Sequence, residues 1–431
     1  MSRTWKWVLG VAAALIVAGV LVVVILTARF LGAGGSVDAE IARIKAEGGP
    51  TTAADLAGKP IPDSENAAVT YQKALKLLPR PSDERDSKTL DRFLDPKERS
   101  SDPPLWAQAK EIVQRYSGAL PIAREAATKP KCRFAVDWRD PLNAEFPHYR
   151  RLRFLTRLAG TKAVLEARAG DSEGAIESVE LAYGMNAALR DEPGLIAVLV
   201  RYAMIRCASQ SLADTARYGA IDGADAIRLA RALSQIQLMG SMAKAYQGER
   251  AEGIVIFGQQ RSGWGSDADS ARVRGFYNAF PGSLWLDSDE AYYLGEMARQ
   301  IKGANLPYRV MKPHFRAVDP PRYALISGIL ISTHLRATAA RDRAIASLAG
   351  DQLFLGLVAY RDRFGSYPAS LADLKKVNWQ LPEDPFSGKP FVYHRKGSGF
   401  VLYSIGDDLK DNGGVEPNGN KPGDIVWKLD R

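Results

Sequence analysis

An uninterrupted apolar run near the N-terminus limits what this chain can fold into. From Trp7 to Ala28 there are 22 residues without a charged side chain, and about 20 apolar residues suffice for a helix to cross the roughly 30 Å hydrocarbon core of a bilayer. A cleaved signal peptide is the alternative, but its apolar region is normally about 7 to 15 residues long. The sequence therefore predicts an uncleaved transmembrane anchor within residues 1–35.

The charges that flank this run predict its orientation. Arg3 and Lys6 precede it, whereas only Arg29 follows closely, and positive charge favours the cytoplasmic side. We expect a single-pass protein of the inner (cytoplasmic) membrane, with its N-terminus in the cytoplasm and its bulk in the periplasm. Nucleic acid is not an expected partner, because the bulk lies outside the cytoplasm and no nucleic-acid-binding motif is present.

The rest of the chain has the composition of a globular protein. Of its 431 residues, 46% are hydrophobic and 25% are charged, which fits two or three folded units rather than one. We expect a stalk and linker with short helices over 36–104, a helical domain over 105–320, and a long helix with a small β module over 321–431. The predicted class is mainly α.

The predicted helical domain contains one recognisable hairpin. Its apolar residues recur every three or four positions, and Gly170 and Asp171 mark a turn between two helices with small residues at their contact. The hairpin is weakly similar to a tetratricopeptide unit, so the domain is expected to be hairpin-like or solenoid-like. A long loop near 261–289 carries aromatic residues, which either pack onto the helices or form a ligand-binding lip.

A local excess of positive charge lies between Pro121 and Arg168. This segment holds eleven Lys or Arg residues against five acids. Arg150, Arg151, Arg153 and Arg157 form its densest part, which could contact anionic lipid headgroups or an acidic envelope polymer. A solvated helix face is the alternative.

Catalytic signatures are absent from the sequence. It contains no HExxH, GxSxG or phosphate-binding glycine motif, and its four histidines are far apart. Cys132 and Cys207 are too widely separated for a metal knuckle, and we favour free thiols over a disulfide. Glu249 and Glu252 share a helical face, where Arg250 is expected to pair with them. No enzymatic activity is therefore expected.

The C-terminal segment is predicted to contain strands and an acidic loop. Two short runs, 391–394 and 399–404, are separated by turn residues and predict a β-hairpin, and 424–427 predicts a third strand. The loop between them brings together four carboxylates: Asp407, Asp408, Asp411 and Asp424. Hard oxygen ligands suit calcium, which takes six to eight oxygens, so a calcium site is one interpretation and a solvated acidic turn the other.

Several motifs in this segment occur in a characteristic order. They are FGSYP at the end of a long helix, then LADL, DPFSGKP, YSIGDD, a GG pair and DIVW. In this order they resemble the soluble part of type II secretion major pseudopilins, over about 90 residues from Arg336 to Trp427.

The resemblance implies a structural calcium ion in the loop. By position, Asp408 matches the acid of the Ser-x-Gly-x-Asp element and Asp424 the acid before Ile-Val-Trp, while Asp411 has an approximate counterpart. The N-terminus departs from the family, because Trp7–Ala28 contains no glutamate and some 300 residues separate it from the pilin-like helix. We therefore expect a pilin-like module that is not processed or polymerised.

These features together favour a binding function. We expect a non-enzymatic interaction or assembly protein of the cell envelope, linked by resemblance to type II secretion or pilus-like machinery. The alternative is an envelope hydrolase with its active site in the helical domain, which a cleft with a perturbed carboxylate pair would favour.

Overall fold

The computed structural model describes most of the chain after the predicted anchor. The described residues are 36–79, 84–262, 275, 285–314, 319–331, 334–419 and 421–429. The predicted transmembrane run and most of the predicted loop near 261–289 lie outside them. Within these ranges one helix, Leu195–Arg217, is long and apolar enough to cross a membrane, and 67% of its most apolar window is buried inside the protein.

The described protein is mostly helical, as predicted, with one small C-terminal sheet. The α-helices are residues 36–46 (α1), Ala53–Ala57 (α2), Ala67–Lys76 (α3), Arg85–Leu94 (α4), Pro96–Ser101 (α5), Leu105–Tyr116 (α6), Ala119–Ala127 (α7), Pro147–Ala169 (α8), Ser172–Gly184 (α9), Leu195–Arg217 (α10), Gly223–Ser234 (α11), Ser241–Ser262 (α12), Leu286–Gly303 (α13), Tyr308–Met311 (α14), Leu325–Leu330 (α15) and His334–Phe364 (α16). Short 3₁₀ helices span Pro141–Asn143, Met185–Leu189, Lys312–His314 and Leu371–Val377.

The predicted hairpin forms at the centre of the helical region. Helix α8 ends at Gly170, whose φ of 84° is left-handed and therefore favours glycine. Asp171 then caps α9, since its side chain accepts the backbone N–H of Gly174 at 3.0 Å. Helices α8, α9 and α10 pack against one another around this turn, so the hairpin prediction is confirmed.

Two helix boundaries differ from the sequence expectation. We expect Ser64 to cap α3, but the cap is Asn66, whose side chain also accepts the backbone N–H of Arg133 at 3.0 Å. We expect one long helix from Tyr323 to Phe364, but α15 and α16 are separate. The carboxylate of the buried Asp289 accepts the backbone N–H of Ile326 at 2.9 Å and so holds the start of α15.

The C-terminal sheet is antiparallel with the order β1-β2-β3. Its strands are Val392–Lys396 (β1), Gly399–Ser404 (β2) and Ile425–Leu429 (β3), so the predicted hairpin and third strand are confirmed. Strand β2 is buried along its whole length because it lies in the middle of the sheet and packs on α16.

Helix α16 joins the sheet to the helical region. It packs against α10 and α11 on one side and against β2 and β3 on the other. A single apolar cluster includes side chains from both regions, among them Ile205 of α10, Phe354 of α16 and Phe400 of β2. The helix ends at Phe364, within the motif FGSYP that the sequence places at the end of a long helix, and Gly365 with φ of 75° stops it.

Candidate functional site

Two of the four predicted calcium ligands, Asp407 and Asp411, have partners other than the remaining two. The Asp407 carboxylate pairs with the Arg343 guanidinium. Asp411 accepts hydrogen bonds from the Tyr403 hydroxyl at 3.0 Å and from the backbone N–H of Gly413 at 2.8 Å. Each of these two carboxylates therefore already has its own ion-pair or hydrogen-bond partners.

The other two ligands, Asp408 and Asp424, meet at one side chain. The Asn412 amide nitrogen lies 3.0 Å from Asp408 Oδ2 and 3.4 Å from Asp424 Oδ1. Asp424 is fully buried and also accepts the backbone N–H groups of Asn412 at 3.2 Å and Gly414 at 2.7 Å. Gly414 has a φ of 76°, a left-handed conformation that glycine adopts readily.

This arrangement provides part of a cation site. Over the described ranges, His, Cys, Asp and Glu side chains do not gather in groups of three or more with metal-binding geometry. A calcium ion would need Asp408, Asp424, the Asn412 side-chain oxygen after rotation of its amide, and backbone carbonyls. Calcium binding remains a prediction.

The four arginines of the basic segment line a cleft between α4 and α8. Arg150, Arg151, Arg153 and Arg157 surround a hollow of about 260 Å³, together with Lys88, Glu84 and Asp91 of the α4 side. A smaller adjoining hollow shares Asp91, Arg153 and Arg157 and adds Arg206 of α10. We call the five arginines the arginine cleft. They form a concave site and not a flat helix face.

The arginines of this cleft differ in how they are paired. Arg157 pairs with Asp91, and Arg150 Nη1 lies 3.5 Å from Glu84 Oε1. Arg151 donates to the backbone carbonyl of Leu75 at 3.3 Å. Arg153 is half-buried and makes neither a hydrogen bond nor an ion pair with any described residue. Burial lowers the pKa of Arg153, the positive charges of Arg157 and Arg206 add to this effect, and the negative charge of Asp91 opposes it.

Glu249 and Glu252 form a partly buried carboxylate pair on α12. Both side chains approach Gly194, with oxygens 3.2 Å (Glu252) and 3.6 Å (Glu249) from the position that a Cβ would occupy there. Glu249 accepts the backbone N–H of Leu195 at 2.7 Å. Burial raises the pKa of both carboxyls, and the Glu249 charge raises the pKa of Glu252 further.

The expected pairing of Arg250 with these glutamates is wrong. Arg250 points toward α1, where the charges of Glu40 and Glu47 act on it and its Nη2 approaches Gly49. Residues 249 and 250 are adjacent, so successive side chains lie about 100° apart around the helix, and here they face different neighbours.

The cysteines and the best-placed histidine have structural surroundings. Cys132 and Cys207 are free thiols, and burial raises the pKa of each to about 12, which makes them poor nucleophiles at neutral pH. His148 stacks on Phe134 with ring centroids 4.1 Å apart, and its Nε2 lies 2.8 Å from Glu192 Oε1.

A further polar cluster joins the sheet to the helical region. Asp351 of α16 is fully buried and accepts three hydrogen bonds: from the Tyr183 hydroxyl at 2.7 Å, the Ser209 hydroxyl at 2.7 Å and the Trp427 indole N–H at 2.8 Å. The three donors come from α9, α10 and β3. We call these four residues the Asp351 junction. Burial raises the pKa of Asp351 to about 6.

Sequence reasoning did not single out the Asp351 junction. Its one available signal is the isolated acid in the apolar run LAGDQLFLGLV, since a buried charge in such a run requires partners. The partners themselves lie 76 to 168 positions away in the chain and carry no local pattern.

Comparison with known proteins adds no family to this description: no protein-family model, curated protein or solved structure matches the chain.

Proposed function

We propose that this protein is a non-enzymatic interaction or assembly component of the cell envelope. It is anchored in the inner membrane by Trp7–Ala28, exposes its bulk to the periplasm, and carries a pseudopilin-like C-terminal module that serves type II secretion or a pilus-like machinery. The single observation that carries the proposal is the Asp351 junction, through which the C-terminal sheet is fastened to the helical region.

The junction supports a platform role for the module. Helix α16 is enclosed by α10 and α11 of the same chain and by the sheet, so its apolar surface is already covered. A helix covered along most of its length offers little apolar surface for packing against other copies, which is the arrangement we expect of a module that is displayed rather than polymerised. The surfaces left for partners are the outer face of the sheet, the acidic loop and the arginine cleft.

Native membranes provide the direct test of this role. Affinity purification after crosslinking should recover the full chain with other envelope proteins, whereas a matched chain that begins at residue 36 should lose membrane association. Protease added to intact spheroplasts should digest the C-terminal region. Protection of that region, or recovery of the full chain alone from the cytoplasm, would contradict the proposal.

Calcium is proposed as a structural ligand of the acidic loop. The support is the approach of Asp408 and Asp424 to the same Asn412 side chain. A ligand that binds only the folded state stabilises it by about 2.7 kcal/mol at a hundredfold excess over its Kd. The full chain should then melt at a higher temperature in calcium than in chelator. Asp408→Asn should abolish the difference, and Glu383→Gln, outside the loop, should retain it.

A second candidate function follows from the Glu249–Glu252 pair. Two neighbouring carboxyls with raised pKa values are suited to general acid–base work, and this pair is the observation that favours an envelope hydrolase. Turnover of envelope glycan or ester substrates that Glu252→Gln abolishes, and that the distant exposed variant Glu177→Gln retains, would establish it. Equal or absent turnover in all three proteins would remove it.

A further inference from the structure

The arginine cleft holds more positive charge than its own acids can compensate. The two adjoining hollows are lined by five arginines and Lys88, against only Glu84 and Asp91 among the carboxylates of the lining. Asp91 is paired with Arg157, and Glu84 lies between Lys88 at 3.1 Å and Arg150 at 3.5 Å. Both acids are therefore already engaged.

The exposed Arg206 makes no ion pair with a described residue, and Arg153 is the more buried cation that this arrangement leaves over. Its guanidinium is half-buried between Arg157 and Arg206, and within the described part of the chain it makes no hydrogen bond or ion pair. Like charges held together in a partly dehydrated recess repel one another, so an anion that enters the recess relieves the repulsion.

A second hollow differs from the arginine cleft, because three of its four basic lining residues have partners. It has a volume of about 600 Å³ and is also lined by basic residues. There, Lys131 pairs with Glu65 at 2.8 Å, Lys244 with Asp191 at 2.7 Å, and Arg133 donates to the carbonyl of Lys59 at 2.7 Å. The arginine cleft differs because its central guanidinium has no such acceptor among the described residues.

We infer that the arginine cleft binds a phosphate group, with Arg153 as the principal ligand and Arg157 and Arg206 beside it. This inference specifies the chemistry of the anionic contact that the sequence predicts for Arg153 and Arg157, and it adds Arg206 to that contact. A guanidinium presents a planar fork of donors that matches phosphate oxygens in pairs, and arginines from two helices can contact different oxygens of one tetrahedral anion. A carboxylate ligand has only two oxygens and so offers fewer acceptors to several arginines than phosphate does. In addition, the Asp91 carboxylate is already paired with Arg157.

The size of the cleft sets a limit on the ligand. At about 260 Å³ it is smaller than the roughly 300–1,000 Å³ of sites for drug-sized ligands, so it admits a compact phosphorylated group. Such a group can belong to a phospholipid headgroup or to a soluble phosphate ester. A recessed site of this kind binds one group at a time, which distinguishes it from a flat basic surface.

Binding of the two phosphate sources can be measured on the full chain in uncharged detergent at constant ionic strength. Calorimetric titration with inorganic phosphate tests the soluble source, and titration of the same detergent sample with a water-soluble short-chain phosphatidic acid, against short-chain phosphatidylcholine, tests the lipid source. Arg153→Gln should weaken binding at least about tenfold. Arg206→Gln, at an exposed cleft position, should weaken it less. Arg231→Gln, which removes an exposed charge from α11, is the matched control and should leave binding unchanged.

The two titrations and the variants distinguish the possible ligands. Binding of inorganic phosphate assigns a soluble ligand, binding of the short-chain phosphatidic acid alone assigns a lipid headgroup, and both support the phosphate site if they depend on Arg153. No binding of either probe overturns it, and so does equal weakening by Arg153→Gln and Arg231→Gln, which would indicate only general electrostatic attraction. None of these measurements depends on an envelope partner, so the phosphate site and the assembly role can fail separately.

Discussion

The Asp351 junction and the arginine cleft deal with charge in opposite ways. Asp351 is fully buried and has three donors at 2.7 to 2.8 Å. Arg153 is half-buried and has no acceptor within the residues described. A charge that is surrounded by its own partners holds elements of the fold together, whereas a charge without partners is available to a ligand. The comparison predicts that removing the first weakens the fold and that removing the second does not.

Loss of the Asp351 carboxylate should have the largest effect on stability. Asp351→Ala leaves the Tyr183, Ser209 and Trp427 donors buried without an acceptor, at about 1 to 3 kcal/mol for each unsatisfied group and less than additively. We expect the free energy of unfolding, measured by urea denaturation of the full chain at about pH 4, to fall by roughly 4 kcal/mol.

Asp351→Asn is the matched control for this substitution. Its side-chain oxygen can still accept from Ser209 and Trp427, and its amide N–H can donate to the Tyr183 oxygen. At about pH 4, where Asp351 is protonated in the folded protein, we expect a loss of only about 1 kcal/mol. Equal losses for the Ala and Asn variants would show that shape, and not hydrogen bonding, holds the junction together.

The pH dependence of stability should show the second largest effect. The folded-state pKa of Asp351 is about 6, above the ordinary value of about 3.9, so between these values the folded protein holds a proton that the unfolded chain releases. The contribution of Asp351 to the free energy of unfolding therefore falls as pH rises from about 4 to 6, by about 3 kcal/mol in total.

The difference between wild type and Asp351→Asn isolates this contribution, because other titrating groups are common to both proteins. Urea denaturation at several pH values should show that the free energy of unfolding of wild type, minus that of Asp351→Asn, falls between about pH 4 and 6 and stays constant above. A difference that is flat, or that rises with pH, contradicts the assignment.

A third prediction concerns the close contact between Gly350 and the ring of Trp427, a member of the Asp351 junction. A Cβ on Gly350 of α16 would lie 2.3 Å from the Trp427 ring, whereas a Cβ on Gly295 of α13 would meet nothing within 4 Å. Gly350→Ala should therefore destabilise by about 2 kcal/mol through overpacking, despite its gain in helix propensity. Gly295→Ala should stabilise by up to about 1 kcal/mol. Thermal melting of both variants checks the sign of each effect.

Much of the fold could be predicted from local patterns. The turn at Gly170–Asp171, the stop at Gly365 and the β1–β2 hairpin all depend on residues close together in the sequence, and each is confirmed. The two helix-boundary predictions that are wrong involve distant contacts. Asn66, and not Ser64, caps α3 because its side chain also accepts the backbone N–H of Arg133. The predicted single helix from Tyr323 to Phe364 is two helices, and Asp289 holds the start of the first, α15. Tertiary hydrogen bonds of this kind override local propensity.

The candidate sites could be predicted in part for the same reason. The spacing of Arg150, Arg153 and Arg157 places them on one face of α8, and the sequence shows that cluster. It does not show that α4 and α10 close a cleft over them, that Asp91 satisfies Arg157, or that Arg206 joins from a later helix. Similarly, the four acids of the C-terminal loop are evident in the sequence. The sequence does not show that one of them pairs with Arg343, that one accepts from Tyr403 and that two meet at Asn412, because these contacts form only in the folded chain.

The smallest predicted effect is the one that distinguishes the two regions most directly. In phosphate-free buffer of low ionic strength, Arg153→Gln removes a positive charge that lies between Arg157 and Arg206 and breaks no hydrogen bond with a described residue. Because solvent screens a half-exposed charge, we expect stabilisation of less than about 1 kcal/mol, and salt at about 0.1 M should reduce it further. Arg231→Gln, at an exposed site outside the cleft, should stay within about 0.5 kcal/mol of wild type.

Added phosphate should then raise the melting temperature of wild type more than that of Arg153→Gln. The difference in melting temperature between the two proteins should therefore shrink or change sign. If Arg153→Gln instead loses more than about 1 kcal/mol at low salt, Arg153 has a partner within the fold, and the contrast with Asp351 disappears.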